Sequence, residues 1–170
     1  MTVASAPDIH MRQALALAQE ALDLGELPIA AVVVLDGQVI ARGATCERRE
    51  QRFLGHAELA ALERADRLGL SFARRRAASL YTTLEPCLMC MGAAMSFFLG
   101  EIVYALESPA DGAVALVRGW ERREADLPAY RLPRIRGGLL RAESIGLFGR
   151  YVKTSPPGPM RDWAETLMGL

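Results

Sequence analysis

The chain has 170 residues, of which 51% are hydrophobic and 24% are charged. This composition fits one ordinary globular domain and excludes a disordered or collagen-like chain. The 20 basic and 20 acidic side chains cancel, which excludes an overall basic surface for nucleic acid but leaves room for a local basic patch.

The first residues lack the basic start and long apolar run of a secretory signal, and no apolar stretch reaches the roughly 18–20 residues that span a bilayer. We therefore expect a cytoplasmic protein with reduced thiols and no membrane partner. The chain has three cysteines, and this odd number favours metal binding over a disulfide framework.

Apolar periodicity predicts a first helix from about Ile9 to Leu24, with Asp8 as its cap and Gly25 as its stop. The apolar, β-branched run Pro28–Leu35 predicts a buried strand. An Asp-Gly turn follows it, and Val39–Ala44 predicts a returning strand, so the two segments form a hairpin.

The rest of the chain alternates between helical and strand patterns up to about residue 153. The predicted elements are a loop over Thr45–Arg52, a helix from about Gly55 to Leu68, a strand over Ser79–Thr83, a helix over Cys87–Phe98 with Pro86 in its first turn, a strand over Glu101–Leu106, a helix within Ala110–Trp120, a short strand within Leu132–Gly138 and a helix over Leu139–Lys153.

Helices that alternate with strands around a common sheet predict an α/β three-layer sandwich. We assign this domain to residues 1–153 and assign 154–170 to a Pro-rich segment and a C-terminal tail. In the tail, Trp163 and Leu167 fall on one helical face, which either covers a pocket or a partner or belongs to a frayed end.

Two short segments carry the residues of a metal-dependent hydrolase: His56-Ala57-Glu58 and Pro86-Cys87-Leu88-Met89-Cys90. Cys87 and Cys90 are three residues apart and share one face of a first helical turn, where the helix dipole favours thiolates. With His56 they supply one nitrogen and two sulfurs, which leaves a tetrahedral zinc one open position for water. We predict that Glu58 moves protons between that water and a departing amine.

The compound pattern H-x-E…P-C-x-x-C, here with 27 residues between its halves, is the signature of zinc-dependent deaminases. Each part alone is weak, since His56 and Glu58 also fit a core residue and a surface charge, and Cys87 and Cys90 also fit two buried small hydrophobes. An alternative of another class is a catalytically inactive binding module, in which Cys46 closes the zinc site as a fourth ligand.

Beyond these segments, the chain resembles the cytidine deaminase superfamily, and within it the bacterial tRNA adenosine deaminases and guanine deaminases. The resemblance spans roughly residues 8–153 and is strongest in Glu26–Val32 (ELPIAAV) and Tyr81–Ala93 (YTTLEPCLMCMGA). It implies a five-stranded mixed sheet flanked by helices, a zinc cofactor and a homodimer.

The departures from the tRNA enzymes fall in the substrate pocket that the resemblance implies. Thr45 stands where those enzymes carry an Asn that binds the base, Ala30-Ala31 replaces a Gly-Ala pair, and Arg52–Gly55 replaces Asp-Pro-Thr-Ala. Glu107 replaces an Arg after the fourth strand. The residues expected to contact the substrate are Ala30, Thr45, Phe53, Glu85 and Glu107.

These departures favour a small substrate, because a hydrogen-bonding pocket with exchanged polar groups selects a different molecule. The sequence therefore predicts hydrolytic deamination of an aminated purine- or cytosine-type ring, as a free nucleobase, a nucleoside or a related heterocycle. Deamination of the anticodon wobble adenosine of tRNA is the alternative.

Overall fold

The structure is a computed structural model that describes residues 6–121 and 131–170. Within these ranges, five strands form one mixed sheet: β1 (Ala30–Leu35), β2 (Gln38–Ala44), β3 (Ser79–Leu84), β4 (Glu101–Leu106) and β5 (Arg134–Arg136). The strand order is β2-β1-β3-β4-β5, with β1 antiparallel to β2 and β3, and with β3, β4 and β5 parallel. The predicted α/β fold with a five-stranded mixed sheet is confirmed.

Helices cover the sheet. They are α1 (Ala6–Asp23), α2 (Glu47–Glu50), α3 (Ala57–Asp66), α4 (Phe72–Ala77), α5 (Leu88–Ser96), α6 (Val114–Arg118), α7 (Arg141–Thr154) and α8 (Pro159–Thr166), followed by a 3-10 turn at Leu167–Gly169. In the described ranges, none of them combines the length and the hydropathy that a membrane span requires.

The alternation of side chains along β1 separates two cores. Ala31 and Val33 face the core beneath α3 and α5, whereas Ala30 and Val32 face the core beneath α1. All six residues of β1 are buried, as expected for a central strand covered on both faces. The two cores make the three layers that the sequence predicts.

Three local predictions need correction. Asp8 is not a cap, because α1 begins at Ala6 and places Asp8 in its first turn. Pro86 precedes α5 instead of lying in it, since Cys87 is the N-cap. The polar stretch after β2 contains the short helix α2, where the sequence predicts only a loop.

The C-terminal segment packs on the domain. Ala164 and Leu167 are buried in a cluster with Phe148 of α7 and with Leu27, and the Trp163 ring meets the Phe148 ring edge-on at 5.9 Å. The tail therefore forms part of the folded structure, and α8 contributes side chains to the candidate site.

Candidate metal centre and active site

The N-termini of α3 and α5 carry the candidate ligands. His56 is the N-cap of α3 and Cys87 is the N-cap of α5, each with an extended backbone. Cys90 lies one turn into α5. Both helices direct the positive end of their dipole toward this point, which stabilises thiolates.

The ligand atoms converge. The Nδ1 atom of His56 lies 3.6 Å from the Sγ atoms of both Cys87 and Cys90. Across the described residues, these three side chains form the one group whose donor atoms are close enough to hold a metal ion, all within 4.8 Å of one another. One imidazole nitrogen and two thiolates are a donor set that suits Zn²⁺.

The three ligands have perturbed pKa values. Hydrogen bonds, first from Cys90 and then with His56, lower the pKa of Cys87 to about 4. The hydrogen bond with Cys87 raises the pKa of His56 to about 9, against the effect of partial burial. Hydrogen bonding to Cys87 and burial raise the pKa of Cys90. Near neutral pH, these pKa values favour a thiolate at Cys87 and protons on His56 and Cys90.

Glu58 lies in the first turn of α3 and is 3% exposed. Its Oε1 accepts a hydrogen bond from the Thr82 hydroxyl at 3.1 Å, and its Oε2 accepts one from the Cys90 thiol at 3.5 Å. Burial raises the pKa of this carboxyl. A carboxylate with a raised pKa beside a metal centre suits proton transfer near neutral pH.

The second ring nitrogen of His56 also has a partner. Its Nε2 lies 3.2 Å from Oε1 of Glu47, the first residue of α2. Burial raises the pKa of Glu47, and the nearby His56 opposes that rise. Glu47 is therefore a polar contact of the site that the sequence interpretation missed.

A cavity of about 450 Å³ opens onto the candidate metal centre. Apolar side chains that include Leu27, Ile29 and Leu84 line it, together with carboxylates and the hydroxyl of Thr45. In the part of the chain that the structure describes, no lysine or arginine belongs to its wall.

The predicted substrate contacts separate into two groups. Thr45, Phe53 and Glu85 line the cavity, and Phe53 is 93% exposed. Ala30 does not, because its side chain faces the opposite core, beneath α1. Glu107 does not line it either, and its carboxylate forms an ion pair with Arg141 at the start of α7. The contacts of Ala30 and Glu107 with substrate therefore stay predictions.

Glu85 has a defined structural role at the cavity wall. Its carboxylate accepts hydrogen bonds from the backbone N–H groups of Ser108 at 3.1 Å and Val114 at 2.9 Å. These bonds hold the loop between β4 and α6 against the start of α5. The same loop carries Asp111 into the cavity wall.

The wall residues that the sequence interpretation did not assign to the site include Glu47, Asp111, Met160 and Trp163. The first two lie in loops or short helices, and the other two lie on α8, far along the chain from the ligands. The one available signal was the position of Trp163 and Leu167 on one helical face of the tail, which could cover a pocket.

Cys46 does not approach the candidate ligands as a fourth sulfur. Its thiol donates a hydrogen bond to the carbonyl oxygen of Gly55 at 3.7 Å, and it lies outside the group of donor atoms that could share a metal. In the described geometry, Cys46 is thus not one of the candidate metal ligands.

A second cavity, of about 400 Å³, adjoins the first and shares Thr45, Glu47 and Phe53 with it. Unlike the first, it has arginines in its wall, Arg48 and Arg52. Among the described residues, these two arginines therefore lie beside the first cavity.

A family model described as MafB19-like deaminase matches residues 6–142. Among curated relatives, tRNA(Ile)-lysidine synthase from Deinococcus radiodurans is 38% identical over 161 residues, a match that covers 92% of this chain and 27% of that protein. The chain thus spans about a quarter of that relative. The tRNA-specific adenosine deaminase from Agrobacterium fabrum is 34% identical over 144 residues, covering 84% of this chain and 91% of that protein.

Solved structures give the same family of folds. A chain from a study of A-to-I editing by tRNA:A34 deaminases superposes with a TM-score of 0.68 at 35% identity, covering 82% of this chain and 98% of that chain. A guanine deaminase from Nitrosomonas europaea superposes with a TM-score of 0.69 at 25% identity, covering 88% and 86%. The similar proteins thus include both tRNA deaminases and a nucleobase deaminase.

Proposed function

Because the chain belongs to the MafB19-like deaminase family, we propose that it is a zinc-dependent hydrolytic deaminase. One observation carries the proposal: the buried Glu58 carboxylate accepts a hydrogen bond from Cys90, which forms the candidate ligand group together with His56 and Cys87. This arrangement combines three metal ligands with a proton carrier that is not itself a ligand.

The donor set fits zinc, and His56, Cys87 and Cys90 would hold it. Zinc held in this way supplies Lewis acidity that lowers the pKa of water from about 15.7 toward about 7. The reaction joins a water oxygen to the ring carbon, breaks the C–N bond to the exocyclic amine and releases ammonia.

Glu58 moves the protons of this reaction. Thr82 occupies Oε1, so Oε2 is the oxygen that takes the proton from water and passes it to the leaving amine. Cys90 donates to Oε2 only as a thiol, so a zinc-bound thiolate at Cys90 would leave Oε2 free to accept a proton. Burial raises the pKa of Glu58 and so makes the protonated form accessible closer to neutral pH.

The proposed substrate is an aminated purine- or cytosine-type ring in a free nucleobase, a nucleoside or a related heterocycle. The absence of lysine and arginine from the described cavity wall supports this choice, as do the acceptors of Glu47 and Asp111. Phe53 provides an exposed aromatic face on which a ring can stack.

A second candidate is deamination of the wobble adenosine of tRNA. Its support is the similarity to the Agrobacterium fabrum enzyme, of which the chain covers 91%. The arginines of the adjoining cavity offer contacts for phosphates next to a base in the metal cavity.

Ammonia release by the zinc-loaded protein tests the proposal. The substrate panel contains guanine, adenine, cytosine, their nucleosides, aminated triazines and an anticodon stem-loop. Glu58→Ala should lower turnover by about 10²- to 10⁴-fold. Glu63→Gln, which changes an exposed glutamate two turns from the site on the same helix, is the matched control and should retain full activity.

Turnover of a small ring that is lost in Glu58→Ala supports the first candidate, and turnover of the stem-loop alone supports the second. A zinc-loaded protein that releases no ammonia from the whole panel contradicts both candidates. The homodimer, the cytoplasmic location and the domain boundary near residue 153 stay predictions, and light scattering checks the first of them.

A further inference from the structure

The two ring nitrogens of His56 face different partners, and this fixes their roles. Nδ1 is 3.6 Å from both candidate thiolates, whereas Nε2 is 3.2 Å from Oε1 of Glu47. If Nδ1 binds the metal, Nε2 must carry the proton and donate it in a hydrogen bond. Glu47 is the acceptor that this tautomer requires.

Glu47 is held in place by contacts of α2. The carboxylate of Glu26, which is 3% exposed, accepts hydrogen bonds from the backbone N–H groups of Arg48 at 3.1 Å and Arg49 at 2.7 Å. The backbone N–H of Cys46 donates to the Gly55 carbonyl at 3.1 Å, next to His56. These bonds fix the first turn of α2 relative to the metal ligand.

Gly55 makes this contact possible. A Cβ atom there would lie 3.1 Å from the Cys46 Sγ and 3.2 Å from the Glu47 backbone nitrogen, closer than nearly all ordinary Cβ contacts. The chain just before His56 therefore packs directly against α2. The spacing between Glu47 and His56 is set by backbone packing and not by a chance meeting of two flexible side chains.

We propose that Glu47 is a positioning residue that fixes the tautomer and ring orientation of His56 and thereby strengthens zinc binding. The inference rests on the proposed function to the extent that His56, Cys87 and Cys90 hold zinc. A carboxylate hydrogen-bonded to the outer nitrogen of a ligating histidine orients the ring and makes the metal-binding nitrogen more basic. Loss of such a partner lowers metal affinity by about 10- to 100-fold.

Glu47 also lines both cavities, so a contact with substrate is the competing role. The two roles differ in what they change. A positioning residue alters the zinc dissociation constant in the absence of substrate, whereas a substrate contact alters KM and leaves zinc affinity unchanged. Zinc affinity thus separates them without any assay of turnover.

The test is the zinc dissociation constant, measured by competition with a chromophoric chelator, for the unmodified chain and for Glu47→Ala, Glu47→Gln and Glu50→Ala. Glu50 lies on the same short helix and pairs with exposed arginines. Glu50→Ala therefore removes the same charge as Glu47→Ala without removing the contact with His56. We expect zinc binding to weaken by about 10- to 100-fold in Glu47→Ala. The weakening should be smaller in Glu47→Gln, whose amide oxygen still accepts a hydrogen bond, and Glu50→Ala should match the unmodified chain.

Thermal unfolding of each metal-free variant shows whether that variant folds. If Glu47→Ala does not fold, Glu47→Gln provides the test. Cobalt substitution adds a spectroscopic readout: reorientation of the imidazole should change the visible spectrum in Glu47→Ala but not in Glu50→Ala. Zinc affinity of a folded Glu47 variant equal to that of the unmodified chain, with or without a rise in KM, would overturn the inference. A lack of zinc binding by the unmodified chain would instead refute the proposed function.

Discussion

At the scale of single residues, Thr82 holds one carboxylate oxygen of Glu58, the residue that we propose as the proton carrier. Its hydroxyl donates to Oε1 at 3.1 Å, and both side chains are buried. The neighbouring residue Thr83 points to the other face of the sheet, where its hydroxyl donates to the Pro28 carbonyl and accepts from the Ala30 N–H. The Thr82 hydroxyl therefore contacts the candidate site, whereas the Thr83 hydroxyl stabilises the backbone at the start of β1.

We predict that Thr82→Val lowers kcat by about tenfold or more while KM and zinc content stay unchanged. A hydrogen bond to a charged group contributes roughly 1.5–3 kcal/mol, and 1.4 kcal/mol corresponds to about a tenfold change in rate. Thr82→Ser keeps the hydroxyl and should restore most of the loss. Steady-state kinetics of the two variants check this, and equal kcat values for Thr82→Val and the unmodified chain would contradict it.

The ligand pKa values predict how zinc affinity depends on pH. Between about pH 5 and 8, Cys87, with a pKa of about 4, is already a thiolate, while His56, with a pKa of about 9, holds a proton. Cys90, whose pKa is raised, also holds one. Zinc must displace both protons, so its affinity falls as the pH falls.

Two displaced protons correspond to a roughly 100-fold loss of zinc affinity for each unit that the pH is lowered in this window. Calorimetric titrations in buffers with different enthalpies of ionisation measure the number of protons released. A release of about two protons at pH 7 is expected, and a release near zero would mean that the ligands are already deprotonated in the metal-free chain.

At the scale of elements, the position of α3 depends on a close approach to β2. A Cβ atom on Gly43 of β2 would clash with the backbone carbonyl of Ala57 and the backbone nitrogen of Ala61, both in α3. Because His56 and Glu58 flank Ala57, this packing also sets the position of the candidate ligand and of the proposed proton carrier.

Gly43→Ala should destabilise the fold by about 1–3 kcal/mol and weaken zinc binding, because α3 must move outward. Gly146→Ala is the matched control: this exposed position in α7 has nothing within 4 Å of a new Cβ, so alanine should stabilise by about 0.5–1 kcal/mol. Denaturant unfolding of both variants measures the two effects. A neutral Gly43→Ala variant would show that α3 is not held at this distance.

Elements with a strong hydrophobic pattern could be predicted from the sequence, and those stabilised by distant residues could not. Glu101–Leu106 is a strand with the bounds that the sequence predicts. The helix α2 escaped prediction because Glu26, twenty-one residues before its start, caps its backbone N–H groups. A four-residue helix has too little propensity of its own to show in the sequence.

In the candidate site, the ligand group could be predicted from the sequence and the cavity wall could not. The spacing of His56, Glu58, Cys87 and Cys90 predicts that they meet, and the structure brings them together at two helix N-termini. The cavity wall depends on strand register and on distant segments, which a single sequence does not fix. A shift of one residue along β1 separates Ala30 from the face that holds the site.

At the scale of the whole molecule, the C-terminal tail forms part of the wall of the cavity at the candidate metal centre. Met160 and Trp163 of α8 belong to the cavity wall, while Ala164 and Leu167 are buried against α7. Residues that the family model leaves unmatched, beyond 142, thus shape the space beside the ligands. We predict that this tail contributes to substrate selection.

Trp163→Ala should therefore raise KM for the ring substrate more than it lowers kcat, and it should lower the free energy of unfolding by about 2 kcal/mol through the lost contact with Phe148. Met168→Ala, at an exposed methionine of the same C-terminal segment outside the cavity wall, is the control. Kinetics and thermal unfolding of both variants check the prediction. An unchanged KM in Trp163→Ala would show that α8 does not contact substrate.

We propose that His56, Cys87 and Cys90 hold zinc and leave one coordination position open. X-ray absorption at the zinc edge of the purified chain tests it most directly. We predict two sulfur ligands and one imidazole nitrogen, with an oxygen ligand completing the shell. A third sulfur from Cys46, or a shell filled entirely by protein side chains, would contradict the account and favour a structural zinc site.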